Sequence, residues 1–374
     1  MKFTVSSSAL ASSLQAINRV INPKSINPIL LDFLFKTEDG KLVVTASDND
    51  TTIEATVELA ECDKDARVVV PSKTMLDALK EIPEQPLQFE INDTTYEITV
   101  KYMNGEYNMV GHNADEYPLP AVLATEYTTH TIDAEIFSEG ISRSIFAVAD
   151  DELRPVMNGI YLDFTPEGVA FVASDGHCLA CDKCELYKSE EKSSFILPKR
   201  PAATIKNLIG NDVETVTLSF DNRICEVTVG DFRMVTRLIE GRYPNYNAVI
   251  PKNNPFKLTI DRQILVNALK RVSVFSPSNS GLIRMRLQEG ELEISAQDLD
   301  FSTSAKETLA CQYEGSPMSI GFKSGLLVEI LNTIPGQEAI IQLADPSRAG
   351  IVLPAEQQEG ENLLMLLMPM VLND

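Results

Sequence analysis

The sequence has no tryptophan, only three histidines and six cysteines in 374 residues, and no long apolar run. Each shortage excludes something. Without Trp, and with its Tyr and Phe not interleaved with basic residues, the chain lacks the stacking platforms on which single-stranded nucleic acids are held. His112, His130 and His177 fall in no H-E-x-x-H pattern, and no Walker loop or G-x-S-x-G elbow occurs, so no catalytic residues and no cofactor are expected. Helix-turn-helix and zinc-finger spacings are also missing, which excludes the usual devices for reading base sequence. Six cysteines are too sparse for a disulfide framework at this length and fit a reducing compartment. No stretch reaches the roughly 18 apolar residues of a membrane span. The start, MKFTVSSSALASSLQAINRVI, lacks the apolar core of a secretory signal, so a cytoplasmic location without membrane contact is expected.

Basic residues are scarce as well, 32 against 54 acidic, for a net charge of −22. That total alone argues against a nucleic-acid partner. The distribution reverses the argument once the repeats are seen.

The chain is a threefold repeat. Each copy begins with a short strand and an amphipathic helix: FTVSSSALASSLQAINRVI, HTIDAEIFSEGISRSIFAV and KLTIDRQILVNALKRVSVF. Val5, Ile132 and Ile260 correspond, as do Leu10, Phe137 and Leu265. A hairpin follows in each, with Gly40, Gly168 and Gly290 expected at turn positions needing positive φ. A strand then runs into a second helix, anchored at Pro71, Pro198 and Phe322. DEYP (Asp115 to Pro118) and GRYP (Gly241 to Pro244) open the linkers to the next copy. The fold class expected is α+β, with domains 1–125, 126–252 and 253–374 and the helices of each covering one face of its sheet.

Summed separately, the six helical segments carry +5, which leaves −27 for the rest of the chain. Lys73, Lys199 with Arg200, and Lys323 all stand at the start of the second helix of their copies. The helix dipole disfavours cations there by roughly 0.3–1 kcal/mol each. A phosphate partner would reverse that preference, because helix N-termini already attract anions. Contact with duplex phosphates, neutral to sequence, is the reading that remains.

His177, Cys178, Cys181 and Cys184 form a C-x2-C-x2-C run that invites a metal reading. No fourth ligand stands at the expected spacing, and the run falls on an alternating strand whose odd and even positions face opposite ways, so no metal is expected. The terminal LLMLLMPMVL fits either a closing strand or an adaptable Met-rich peptide groove.

At this point the chain resembles a known family, the bacterial DNA polymerase III β subunits or sliding clamps. The likeness is carried by MKFT at the start, PIL (Pro28 to Leu30), Asn158-Gly159, SDGH (Ser174 to His177) with Leu179, Pro198 to Arg200, GRYPNY (Gly241 to Tyr246), IPKN (Ile250 to Asn253), Gly321-Phe322 and MPM (Met368 to Met370). The resemblance implies the DNA-clamp fold and a head-to-tail homodimer forming a ring, helices lining the inside and sheets outside. It implies a processivity factor that encircles duplex DNA without catalysis. The bore would carry Lys24, Lys73, Lys199, Arg200, Lys206, Arg262, Lys270, Arg271 and Lys323. The subunit contact would use Tyr107 and Met109 of one copy with Val274 and Phe275 of the other. A peptide pocket would be lined by Arg154, Met157, Ser174, Gly176, His177, Leu179, Pro244, Val249, Met368, Pro369 and Met370. Its occupants would be short segments of the replicative polymerase, the clamp loader, translesion polymerases and mismatch-repair proteins. The chain departs from common family choices at Cys178 and Ala248, often Arg, at Pro155 and Val156, often aromatic, and in the apolar tail Val371 to Asp374. A clamp specialised for repair or another replicon, and an acidic β-rich enzyme of another kind, are the competing readings.

Overall fold

A computed structural model describes residues 1–372; of the apolar tail singled out above, Asn373 and Asp374 lie outside the described residues. The chain divides into two compact units, Met1–Phe137 with Arg200–Leu238, and Ser138–Lys199 with Ile239–Asp374. The central repeat contributes to both. Among the described residues no helix is long and apolar enough to cross a membrane.

Six α-helices form, two per repeat: α1 Ser7–Ile17, α2 Ser72–Lys80, α3 Ala134–Ser144, α4 Lys199–Leu208, α5 Arg262–Ser273 and α6 Ser324–Thr333. The first helix of each copy is capped by a side chain that accepts from the first turn. Ser6 Oγ accepts from Ala9 N, Asp133 Oδ1 from Glu135 N and Asp261 Oδ1 from Ile264 N. In α1 the spacing of Leu10, Leu14 and Ile17 turns one apolar stripe inward, and all three are buried. The second helices are built differently. Pro71 precedes α2 and Lys323 precedes α6, and neither side chain caps its helix.

In the first unit a five-stranded sheet runs in the order 61–62, 2–6, 86–91, 97–102, 105–110. An eight-stranded sheet runs 128–133, 215–220, 224–229, 232–237, 51–58, 41–47, 33–38, 66–70. In the second unit a nine-stranded sheet runs 193–198, 159–165, 168–174, 178–184, 361–367, 350–354, 338–343, 256–261, 312–314, and a four-stranded sheet runs 303–310, 291–298, 282–288, 318–323. The ladders of these four sheets are antiparallel.

Two of these ladders join one repeat to the next. Residues 232–236 of the central copy pair with 51–55 of the first, Met234 opposite Ile53. Residues 361–367 of the third copy pair with 178–184 of the central one, Leu366 opposite Leu179. The strands equivalent to these in the chain's remaining positions, Gly105–Val110 and Thr303–Ala310, end their sheets with one edge unpaired among the described residues.

The hairpins stand where expected, and all three of their glycines take positive φ, Gly168 at a different ladder position from the other two. Gly40 and Gly290 take φ of 76° and 75°. Gly168 stands one ladder position later, pairing with Thr165 as Lys41 pairs with Glu38, and is nearly extended at φ 157°. Its need for glycine is a close approach, since a Cβ there would lie 2.4 Å from the Cys184 carbonyl oxygen.

Candidate functional site

The nine cations expected to meet phosphate separate into two groups. Lys24, Lys73, Lys199, Lys270 and Lys323 are exposed and Lys206 is half-buried, and among the described residues none of the six forms an ion pair. The three arginines are engaged within the chain. Arg200 donates from Nη1 to Asp48 (3.0 Å) and from Nη2 to the carbonyls of Arg19, Val20 and Ile21 beyond the end of α1. Arg262 donates to the carbonyls of Leu331 and Gly336 at the end of α6. Arg271 chelates Glu307. Guanidinium forks suit carbonyl clusters and carboxylates, whereas the lysines stay free as point charges.

The expected pocket residues all lie in the second unit. Strand 178–184 separates two environments by its pleat. Leu179 and Cys181 face an apolar cluster with Ala170, Val172, Ile196, Tyr243, Tyr246, Ala349 and Leu366, flanked by Val156, Tyr161 and Ile250. Tyr161 and Tyr243 stack at 4.9 Å, and the Lys183 ammonium stands 5.8 Å from the Tyr246 ring. Around this floor the loop Ser174 to Cys178 is organised by Asp175, whose Oδ1 accepts from His177 N and Cys178 N at 2.7 Å. Arg154 donates to Asp151 Oδ2 (2.8 Å) and to the Asp175 carbonyl (3.2 Å). Ser174 Oγ donates to the Cys178 carbonyl.

The terminal segment is tied to the same loop, Met368 N donating to the His177 carbonyl and Met370 N to Gly321. Arg154, Gly176, His177, Pro244, Val249 and Met368 are exposed, whereas Met157 and Leu179 are buried and contribute packing beneath the surface. The sequence reading missed Asp175 and the Tyr161, Tyr243 and Tyr246 floor. Two of those tyrosines stand inside GRYPNY and could have been found there.

The opposite face of strand 178–184 carries Cys178, Asp182 and Cys184. The cysteine run therefore divides between faces. Burial pushes the Cys181 thiol up to about 12 and raises Cys178 as well, so neither is a ready thiolate. No group of three or more His, Cys, Asp or Glu among the described residues is arranged to hold a metal ion.

Asp182 lies in a buried charge cluster. Arg143 on α3 reaches Asp182 Oδ2 at 3.3 Å, Glu361 Oε2 at 3.0 Å and Glu139 Oε2 at 2.7 Å. Asp182 Oδ1 has no hydrogen-bond partner. Burial raises its carboxyl to about 6 against the pull of Arg143.

The expected subunit-contact residues sit at two separate edges. Tyr107 and Met109 are half-buried on the edge strand 105–110, and the Tyr107 hydroxyl is buried without a partner. Val274 and Phe275 follow α5 and are 77% and 39% exposed. Tyr107 and Met109 thus stand on a strand whose outer edge is unpaired among the described residues, and Val274 and Phe275 are apolar side chains open to water after α5.

Comparison with known proteins agrees along the whole chain. The descriptions "DNA polymerase III beta subunit" for the N-terminal, central and C-terminal domains match residues 1–121, 131–245 and 247–370. A beta sliding clamp of Pseudomonas putida is 24% identical over 366 residues, covering 98% of this chain and 99% of its own. The Thermotoga maritima DNA polymerase III beta subunit crystal structure covers all of both chains at 26% identity and a TM-score of 0.89, and the Pseudomonas aeruginosa one does so at 24% and 0.93.

Proposed function

The chain belongs to the family of DNA polymerase III beta subunits, the beta sliding clamps, and from that premise we propose that two copies close head to tail into a ring around duplex DNA. A beta sliding clamp is a non-catalytic processivity subunit that serves DNA replication, so the reading as an acidic enzyme is set aside by the family match. The observation that carries the ring is the pair of internal ladders. The first two repeats pair their strands 51–58 and 178–184 with the last strand of the next, and the equivalent strand 303–310 and the last strand of the first repeat, 105–110, find no such partner among the described residues. A second copy supplies both, through two identical heterologous contacts that close the ring.

The helices then face inward. Lys24, Lys73, Lys199, Lys206, Lys270 and Lys323 attract phosphates without reading bases, which lets the ring slide. Arg200, Arg262 and Arg271 support the helices that carry them and add to the field. The division into repeats at 125 and 252 is part of this proposal, supported by the three matched segments. So is action in the cytoplasm, on the nucleoid. The replicative polymerase, the clamp loader, translesion polymerases and mismatch-repair proteins dock short peptides above the Tyr161, Tyr243 and Tyr246 floor, with Met368, Pro369 and Met370 as one wall.

Loading onto nicked circular DNA followed by linearisation tests the ring. The expected result is release on linearisation, and a complex that survives it would overturn the topological reading. For the subunit contact, Phe275→Ala with Val274→Ala should give monomers in light scattering, because each lost Phe contributes roughly 1.5–3 kcal/mol and is lost twice per ring.

A further inference from the structure

The two internal ladders share one register. Following the hydrogen-bonded pairs strand by strand from Val5, Ile132 and Ile260 makes Asn108, Val235 and Leu366 equivalent on the last strand of each repeat. The hairpins in the same way make Thr52, Leu179 and Ser304 equivalent on the other strand. In the first internal ladder Thr52 stands opposite Val235, and in the second Leu179 stands opposite Leu366.

We infer that the ladder between subunits repeats this register, Ser304 of one copy opposite Asn108 of the other, and that it is locked by an ion pair between Lys306 and Glu106 of the two copies. This rests on the head-to-tail ring proposed above and specifies the partner as a second copy of this chain.

The pleat supports the register. Tyr107 and Met109 are half-buried and would oppose Ala305 and Thr303, while the exposed Glu106 and Asn108 would oppose the exposed Lys306 and Ser304. A slip of one residue would set inward positions against outward ones. The small Ala305 leaves room for the Tyr107 ring.

The charges support it independently. In the first internal ladder the same rung is Glu54 opposite Arg233 at 2.7 Å, with Arg233 also held by Glu226 on its hairpin neighbour at 2.7 Å. At the subunit edge the signs are exchanged: the acid, Glu106, is on the last strand and the base, Lys306, on the other. Lys306 is already held by Glu293 across its own hairpin at 2.5 Å, as Arg233 is by Glu226. Glu106 forms no ion pair, although Lys101 stands opposite it, because Lys101 turns to Glu90 at 3.1 Å.

The exchange of signs also separates right pairings from wrong ones. An edge strand 105–110 laid on an internal strand 51–58 in this register would set Glu106 against Glu54. A strand 232–237 laid on 303–310 would set Arg233 against Lys306. Both are like-charge rungs, which interfaces avoid.

Mixing two charge-reversal variants tests the pair. In a homodimer of Glu106→Lys, or of Lys306→Glu, both contacts carry like charges. In a mixed dimer one contact is native and the other is fully exchanged. Sedimentation should show each variant alone dissociating at least about ten-fold more readily than the native dimer, and the 1:1 mixture recovering dimer near the native strength. That recovery also shows that both variants fold. A mixture no tighter than its components, with a native chain that dimerises, overturns the ion pair while leaving the ring. A native chain that is monomeric throughout overturns the ring and the pair together. Should a reversal prevent folding, Glu106→Gln with Lys306→Gln replaces it: the native dimer should weaken more steeply with added NaCl than this variant, and parallel salt curves would overturn the pair.

Discussion

The ladder joining the first repeat to the second and the ladder joining the second to the third have the same register and opposite materials. In the first, Thr51 and Thr236 share a hydroxyl hydrogen bond of 2.9 Å and Arg233 lies half-exposed between Glu54 and Glu226. In the second, Leu364, Leu366 and Leu367 stand opposite Cys181, Leu179 and Cys178, and Arg143 gathers Asp182 and Glu361, all three largely withdrawn from water, with the part-exposed Glu139. Backbone pairing fixes how two repeats meet, and side chains decide what else the joint can do. The polar joint is a fastening. The apolar one has an aromatic floor to spare for a visitor, and it concentrates electrostatic risk in one place.

Removing each joint's arginine should show the contrast at its largest. Arg143→Met leaves the Asp182 and Glu361 carboxylates facing each other out of water, beside a part-exposed Glu139, and should destabilise its unit by about 3–5 kcal/mol. Arg233→Met, at a half-exposed site, should cost about 1 kcal/mol or less. Urea unfolding of both variants measures this, and equal losses would break the comparison.

The aromatic floor distinguishes the joints next. Pro369→Ala with Met370→Ala should weaken a clamp-binding peptide about 10–100-fold in calorimetry, because few anchors dominate such sites. Thr51→Val with Thr236→Val, at the other joint, should leave peptide affinity unchanged.

Acid should affect the two joints differently. The Asp182 carboxyl is held at about 6 in the fold against 3.8 in the free chain. The folded state therefore binds the extra proton between those values, and the contribution of this group to stability grows as pH falls from 6 towards 4. Asp182→Asn should flatten that part of the curve of unfolding midpoint against pH, and carboxyl NMR of Asp182 should titrate near 6. A curve of unchanged slope would remove Asp182 as its source.

The smallest effect concerns the threonine pair. Thr51→Val alone leaves the buried Thr236 hydroxyl only its 3.4 Å bond to the Arg237 carbonyl and should cost about 1 kcal/mol, whereas the double variant with Thr236→Val should come close to the native stability. Additive losses in this cycle would show that the hydroxyls do not act on each other.

What could be read in advance was whatever is local or repeats. The helix stripes, the hairpins, the cations before α2, α4 and α6 and the alternation that splits the cysteine run all follow from spacing within a few residues. What could not be read depends on partners far along the chain. Arg200 looks like a free cation until Val20 arrives 180 residues away, and Arg143 until Glu361 arrives 218 away. That Gly168 takes its positive φ one ladder position later than Gly40 and Gly290 could not be read, because a one-residue offset between hairpins is invisible without the ladder. The joints themselves were hidden, since strands 51–58 and 178–184 carry no mark saying that their second neighbour comes from the next repeat. The pocket residues were legible only through family likeness, and that likeness does not report which of them, such as Met157 and Leu179, lie beneath the surface.

The Arg200 fork has a consequence for the order of events during synthesis. The carbonyls of Arg19 to Ile21 receive their guanidinium, and strand 51–58 its second neighbour, only from residues 200 and 232–236. At roughly 5–20 residues per second on the ribosome, the first repeat waits about 10–40 s with that helix end uncapped and that strand edge bare. A nascent chain arrested after residue 125 should therefore be more open to protease around 19–21 and 51–58 than one arrested beyond residue 240 once both have cleared the exit tunnel. Pulse proteolysis of stalled complexes would record the delay.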